Sequence, residues 1–458
     1  MVHTFSVNGN YYLFDVESSS LHICDKLTAE VVKKMQGEKY SLDGVSDKVV
    51  HGIEDEIEEL KKEGLLFAEE IKTLPIKSNL VKALCLHVSH DCNLKCRYCF
   101  AGQGNYKGKN EYMSFDVAKN AIDFLIENSG NREILETDFF GGEPLLNFDV
   151  VKKTVEYAKE EGKKHGKKFL FTLTTNGLLL DGEIAEYLNR EMENVVLSID
   201  GRKEVHDGVR TTKTDKGSYE YIVENIKNFV KNRGDKRYYV RGTFTNRNLD
   251  FSNDVIALAD NGLTEISLEP VVLPEGDELY ISKEMLPRIK KEYLRLEKEY
   301  LRRLEKGERL FNFFHFAIDL ENGVCLNKRV SACGAGNEYF SVTPNGDIYP
   351  CHQFANKKEY LMGNVFTKKL NENIRSVFKN ANLLTKPACK ECFAKYHCSG
   401  GCAANNINFN GDINKPYEIT CEMMRARMEC ALDIYARKKE LLEKQGQKSQ
   451  KKAETQKN

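Results

Sequence analysis

Cysteine placement constrains this chain more than any other feature. Of fourteen cysteines in 458 residues, three cluster at 92–99 and eight lie between 325 and 421. The stretch 100–324 has none. Disulfide-dense scaffolds are small and secreted, whereas this chain is long and rich in Lys and Glu. Its first residues, MVHTFSVNGNYYLF, lack a basic stretch followed by an apolar run, so no signal peptide is read there. A reducing cytoplasm is therefore expected, where such cysteines bind metal rather than pair.

Composition narrows the rest. With 41% apolar and 10% aromatic residues the chain can bury a sizeable core, and its length suits two or three domains. Basic and acidic residues number 68 and 69, a net charge of −1, so no global field draws nucleic acid or an anionic membrane. No run of about 18 apolar residues occurs, so no transmembrane helix is expected.

Residues 5–7 and 11–16 are apolar runs around Asn8-Gly9-Asn10, a hairpin signal. Amphipathic helices are predicted at 27–35 and 53–66, the second opened by Gly52. This unit, 1–75, reads as a winged-helix-like module without the basic charge of a DNA binder. An exposed hairpin edge there can accept an extended peptide as an added strand. From 80 to 283, strand-like runs at 83–88, 137–140, 169–174, 195–199, 238–244 and 265–268 alternate with helical patterns at 115–128, 150–164, 183–189, 219–232 and 254–261. That alternation predicts an α/β fold with a parallel sheet, open or wound as a partial barrel. Either form places the ligand site at the C-terminal strand ends. A charge-laced helix within 284–310 bridges to the second cysteine region, 311–436. The Lys- and Gln-rich tail, 437–458, is expected to be disordered.

The first motif, Cys92-x3-Cys96-x2-Cys99, falls in the loop after the first parallel strand. Three thiolates so close in sequence can wrap one corner of a cubane and leave one iron open. Zinc would want a fourth ligand, for which His87 or His90 stands nearby. At this point the sequence resembles the radical SAM superfamily, whose signature is this loop with an aromatic residue before the third cysteine, the place of Tyr98. The resemblance covers residues 80–270 and implies a partial (β/α)6 barrel that binds S-adenosylmethionine at the open iron. Gly141-Gly142-Glu143-Pro144 then corresponds to the segment that receives the methionine ammonium, a role suited to a carboxylate with exposed backbone. Thr174-Thr175-Asn176-Gly177 ends the third strand and Ser198-Ile199-Asp200-Gly201 the fourth. The resemblance places Thr175, Asn176, Ser198 and Asp200 at the cofactor and pairs Arg210 with the methionine carboxylate. Taken singly, each is an ordinary turn or surface ion pair.

The second motif, Cys389-x2-Cys392-x5-Cys398-x3-Cys402, is followed by Cys421 and preceded by Cys333, Gly346 and Cys351. It resembles the SPASM domain. A zinc ribbon would account for one C-x2-C pair but not for seven cysteines in this order. The resemblance implies two auxiliary [4Fe–4S] clusters, three with the SAM-binding one. Cys389, Cys392, Cys398 and Cys421 would hold the second auxiliary cluster, and Cys333, Cys351 and Cys402 the first. The first is one ligand short. Either Cys325 completes it, or an open iron there binds a substrate thiolate and lowers its pKa. Cys24, Cys85 and Cys430 match no motif and read as structural.

The whole layout resembles maturases of ribosomally made peptides, most of all the SCIFF maturases, which join a cysteine sulfur to the α-carbon of an acceptor, typically threonine. This implies a Cys-rich precursor peptide whose leader binds residues 1–75, a flavodoxin- or ferredoxin-type electron donor, and an anaerobe's cytoplasm. The alternatives are another SPASM oxidation such as formylglycine formation, or a zinc-bound peptide-binding protein without catalysis. Neutral charge argues against a nucleic-acid modifier. No general base stands out; Glu269 and His206 are two of many polar residues near strand ends.

Overall fold

The structure, a computed structural model, describes residues 1–72, 78–321, 330 and 332–455. Strands β1 (Val2–Val7) and β2 (Asn10–Asp15) form an antiparallel hairpin, and β3 (Leu21–Cys24) pairs with the other side of β2. The turn residues Asn8 and Gly9 have φ of +50° and +89°, the primed-turn geometry that matches strand twist. Helices α1 (Lys26–Met35) and α2 (Asp47–Lys62) complete the module. Here the structure corrects the sequence reading: α2 starts after Ser46, and Gly52 lies inside it. A negative charge in the first turn favours that start, and one interior glycine costs only about 1 kcal/mol.

The core strands are β4 (Ala83–Ser89), β6 (Ile134–Gly141), β7 (Lys168–Thr175), β8 (Asn194–Ser198), β10 (Arg237–Phe244) and β11 (Glu265–Pro270). All are parallel, in the order β4-β6-β7-β8-β10-β11, and coincide with the expected runs to within a few residues. Helices α3 (Phe115–Asn128), α4 (Phe148–Lys164), α5 (Gly182–Glu191), α6 (Lys203–Val209), α7 (Tyr219–Lys231) and α8 (Ser252–Asp260) alternate with them. Every residue of β4 is buried, as befits a parallel strand covered on both faces. Short strands β5 (Leu94–Cys96) and β9 (Arg210–Thr212) pair separately, antiparallel.

The barrel does not close. Its first strand, β4, pairs with β13 (Tyr339–Val342), and β12 (Asn312–Phe313) extends the far edge beyond β11. Antiparallel strands β14 (Asp347–Tyr349), β15 (Gly363–Asn364) and β16 (Lys369–Leu370) continue outward from β13. The second cysteine region is thus hydrogen-bonded to the barrel rather than tethered to it. Helix α9 (Leu286–Lys306) lies against the long C-terminal helix Glu418–Thr455. That helix continues past Arg437 as far as Thr455, into the tail expected to be disordered; the segment is rich in strong helix formers such as Lys, Glu, Leu and Gln.

The N-terminal module packs on this second region. Phe5, Tyr12 and Phe14 share a core with Phe393, Tyr396 and Leu432. Lys395 Nζ meets Glu17 Oε1 at 2.6 Å with side chains only 5% and 2% exposed, and the Tyr396 hydroxyl donates to Glu17 Oε2 at 2.8 Å. At the same junction Asn8 Nδ2 donates to Glu297 Oε2 at 2.7 Å, and Tyr12 donates to Asp433. Burial first, then the facing Asp433, pushes the Glu297 carboxyl up to about 8. A raised acid favours folding in its protonated form. Its contribution is full below the ordinary glutamate value and is lost as pH rises through about 8. Backbone amides of β1 and β2 should therefore exchange faster with solvent hydrogen as pH rises from about 5 to about 8, after correction for the intrinsic rate, and Glu297→Gln should remove that rise.

Candidate active site

The loop after β4 carries the first three cysteines, and backbone contact holds it to the end of β6. Gly142 N donates to Ser89 O and Glu143 N to Asp91 O, both at 2.8 Å. A Cβ at Gly141 would stand 2.1 Å from Ser89 O, and one at Gly142 2.2 Å from Asp91 O, so no side chain fits at either place. From the outer side, the Asp91 carboxylate takes the Tyr112 hydroxyl at 2.9 Å and Lys213 Nζ at 3.1 Å. The β5–β9 pairing sets Cys96 opposite Arg210, whose Nη1 reaches Cys96 Sγ at 4.0 Å.

Cys92, Cys96 and Cys99 lie on this short loop, and their thiols interact electrostatically. Burial pushes Cys92 up to about 12 and Cys96 up to about 11, with Arg210 pulling Cys96 back. Ligation to iron would replace those protons. Among the described residues, no three His, Cys, Asp or Glu side chains converge as ligands of a single ion. His87 and His90, the candidate fourth zinc ligands, are turned to each other, Nδ1 to Nε2 at 3.0 Å, and both stack on Tyr106. Burial holds His90 down near 4, so the pair is neutral.

The Glu143 side chain links two strand ends. Its carboxylate is fully buried and takes hydrogen bonds from Thr175 Oγ1 at 2.8 Å, Asn176 N at 2.8 Å and Leu145 N at 3.1 Å. Burial pushes it up to about 7 against those three donors. The side chain is a strut between strand ends β6 and β7, which leaves the segment's backbone to face a ligand. Thr175 is spent on the same strut. Asn176 Nδ2 turns to Asn93 Oδ1 at 2.7 Å and to Cys92 Sγ at 3.7 Å.

Asp200 is likewise engaged. Oδ2 receives the Tyr98 hydroxyl at 2.5 Å and Arg210 Nε at 2.9 Å, while Oδ1 receives Thr243 N at 2.9 Å. Arg210 also lies over the Tyr98 ring, 5.4 Å from its centre. Tyr98, Asp200 and Arg210 therefore form one unit that orients the guanidinium toward the cysteine loop. Ser198 ends β8 beside them, half-buried. His206 accepts from Asp200 N at 3.3 Å, and its other ring nitrogen meets Ser218 Oγ at 3.0 Å; burial holds it near 4. Burial acts to raise the Glu269 carboxyl, but His315 at 3.3 Å and then Arg427 hold it well below the usual range. Neither residue has the properties of a base poised near neutrality.

In the second region, Gly346 takes φ of +87° in the turn between β13 and β14, a left-handed position, and Cys351 follows β14. Electrostatic coupling sorts the thiols into two sets: Cys351 with Cys333 and Cys402, and Cys421 with Cys389, Cys392 and Cys398. Cys325 lies outside the described residues. Cys85 and Cys430 are core residues and Cys24 is half-buried. Sequence reasoning missed the rings between the two regions: Phe100, next to Cys99, and His352, next to Cys351, have centroids 5.3 Å apart. It also missed Asn93, Asp91 and Tyr112, which belong to no spaced pattern.

Comparison with known proteins agrees with this geometry. The radical SAM superfamily profile matches residues 86–247, and that of the SPASM iron–sulfur cluster-binding domain matches 333–393. An uncharacterized protein of Methanocaldococcus jannaschii is 30% identical over 59% of this chain and 85% of its own length. The radical SAM cyclopropyl synthase TigE of Paramaledivibacter caminithermalis is 26% identical over 81% of this chain and 75% of its own. A cysteine-type anaerobic sulfatase-maturating enzyme of Clostridium novyi is 27% identical over 74% and 92%. Among solved structures, Streptococcus suis SuiB bound to S-adenosylmethionine superposes with a TM-score of 0.53 at 18% identity, over 91% of this chain and 98% of that one. The chain belongs to the radical SAM superfamily and carries a SPASM domain. It is a radical SAM enzyme whose cofactors are S-adenosylmethionine and iron–sulfur clusters.

The Glu143 strut gives a direct test. Glu143→Ala frees Thr175 and Asn176 while leaving every cysteine in place. Anaerobic 5′-deoxyadenosine formation should fall on the order of 100-fold with iron content unchanged.

Proposed function

We propose that this enzyme matures a Cys-rich, ribosomally made precursor peptide by joining a cysteine sulfur to the α-carbon of an acceptor residue, threonine in the closest analogy, as SCIFF maturases do. The observation that carries the peptide-substrate reading is the N-terminal module. Among the described residues its strand β3 is bonded on one side only, to β2, with Ile23 exposed, and the module is fixed by a buried ion pair to the region of the auxiliary thiols. A leader peptide added along that edge would be held at a set distance from the barrel. Residues 1–75 are the leader-binding domain in this reading, 80–283 the radical SAM domain, 284–310 the bridge and 311–436 the SPASM domain.

In this reading Cys92, Cys96 and Cys99 hold the SAM-binding cluster. Cys333, Cys351 and Cys402 hold the first auxiliary cluster, and Cys389, Cys392, Cys398 and Cys421 the second. Reductive cleavage of S-adenosylmethionine supplies hydrogen-atom abstraction from the acceptor carbon. The chain's part is to bind and orient. The backbone of Gly141–Pro144 takes the methionine ammonium. Arg210, aimed by Asp200 and Tyr98, takes the carboxylate, and Asn176 and Ser198 line the cofactor's polar side. Formation of the S–C bond would remove the thiol proton, the hydrogen atom abstracted from the acceptor carbon, and one further electron; the auxiliary clusters that these cysteines would hold would supply an acceptor for that electron. A flavodoxin- or ferredoxin-type protein supplies the reducing electron for cleavage.

A second reading, cysteine oxidation to formylglycine, is favoured by the sulfatase-maturating relative. One experiment separates the two. The reconstituted enzyme is incubated anaerobically with a Cys-rich peptide, S-adenosylmethionine and reductant, and the product is then reduced and alkylated. Loss of two hydrogens with one thiol protected from alkylation identifies the thioether. Loss of sulfur with a new aldehyde identifies formylglycine. An unchanged peptide alongside 5′-deoxyadenosine rejects the peptide as substrate. If the first auxiliary set holds the substrate thiolate or takes the electron, Cys402→Ala should keep 5′-deoxyadenosine formation and lose the crosslink; full crosslinking by that variant would overturn this role.

A further inference from the structure

Lys386 lies on neither motif, yet its side chain is almost fully buried, at 3% exposure. Its Nζ donates to Gly400 O at 2.7 Å. Gly400 is the middle of the Cys398-Ser-Gly-Gly-Cys402 segment, so the ammonium is planted between a thiol of the second auxiliary set and one of the first. Its own backbone is tied to the second set, since Cys389 N donates to Lys386 O at 2.9 Å. The site is built around the head group: a Cβ at Gly400 would stand 2.9 Å from Nζ and 3.0 Å from Cδ.

Charge balance gives the residue its meaning. An ammonium has three donors, and among the described residues Lys386 has one hydrogen-bond acceptor and no carboxylate within ion-pair distance. A buried, unpaired ammonium is strongly unfavourable. What lies next to it in the fold is the sulfur-bearing backbone: Gly400, whose carbonyl takes the ammonium, stands two residues from both Cys398 and Cys402, and Cys389 donates its amide to the Lys386 carbonyl. Thiolates bound to iron carry the compensating negative charge that neutral thiols lack.

We propose that Lys386 is a shared electrostatic wedge that raises the reduction potentials of both auxiliary clusters, making each a better acceptor of the electron released in the reaction. This rests on the cluster assignment under Proposed function. Each reduction adds one electron to a cluster, and a fixed positive charge nearby in a poorly screened interior stabilises the reduced form. Lys386 touches no substrate; it is a positioning residue acting through the clusters.

The test is a potentiometric titration followed by electron paramagnetic resonance on the full-length, reconstituted enzyme. Lys386→Met, nearly isosteric and neutral, should keep full iron and shift both auxiliary midpoints to more negative potential, with the SAM-binding cluster unmoved as an internal reference. Lys386→Arg should restore wild-type potentials. Lys390→Met removes an exposed lysine one turn away and should change nothing. If Lys386→Met loses iron, Lys386→Gln carries the test, because its amide keeps a donor for Gly400 O without the charge. Unmoved midpoints in a neutral variant with full iron overturn the proposal. So does a shift of only one auxiliary cluster, equal shifts in the Met and Arg variants, or loss of iron from Met, Gln and Arg variants alike. A wild-type chain that holds the SAM-binding cluster alone would instead sink the cluster assignment, and this proposal with it.

Discussion

The close backbone contact between the end of β6 and the loop after β4 is the constraint on which the site depends. Two glycines let the chain approach within hydrogen-bonding distance of Ser89 O and Asp91 O. That contact decides where Cys92 begins. The loop is then closed from its other end by the two-stranded β5–β9 pairing, which carries Arg210 to Cys96. A flexible loop of three cysteines would pay a large ordering entropy on taking up a cluster. Here the ordering is done by the fold, through contacts that involve no sulfur.

Buried polar groups extend the same logic outward. Glu143 joins the β6 end to the β7 end, and Asp200 joins the β8 end to β10, Tyr98 and Arg210. Each carboxylate takes several protein donors, which fixes its place between strand ends. Successive strand ends are thereby locked to one another around the barrel mouth. The open seam of the barrel is filled by β13, and the ladder from β4 to β13 is continuous with the hairpin that presents Cys351. Catalytic and auxiliary regions are parts of one sheet, which limits how far they can move apart.

Electrostatics differ among the three thiol sets. Arg210 is the cation at the first motif. Lys386 is shared by both auxiliary sets, and Arg425 and Arg427 add to the second. Net charge near a cluster is one of the protein's main controls on its potential. The N-terminal module packs against this cationic side through Lys395 and Glu17, so the surface that would read a peptide and the region that would take its electron share one core.

The amino-acid sequence by itself determined the cysteine spacing, the six-fold alternation of strand and helix, and the glycine pairs at strand ends. Those are local properties: spacing along the chain, hydrophobic period and backbone freedom are all written in neighbouring residues. They carried the strands and most helices to within a few residues. They failed where one local signal hid another, as at Gly52, which lies inside α2, and in the tail, where charge was read as disorder but helix propensity prevailed. Tertiary structure alone decided that Glu143 and Asp200 are struts, that His87 and His90 bind each other, and that Lys386 sits between two thiol sets. The physical reason is that a polar side chain's role depends on which distant donor or charge desolvation forces it to meet. For Glu143 and Asp200 such partners lie 32 and 102 residues away, and even the nearer pairs leave no period in the sequence.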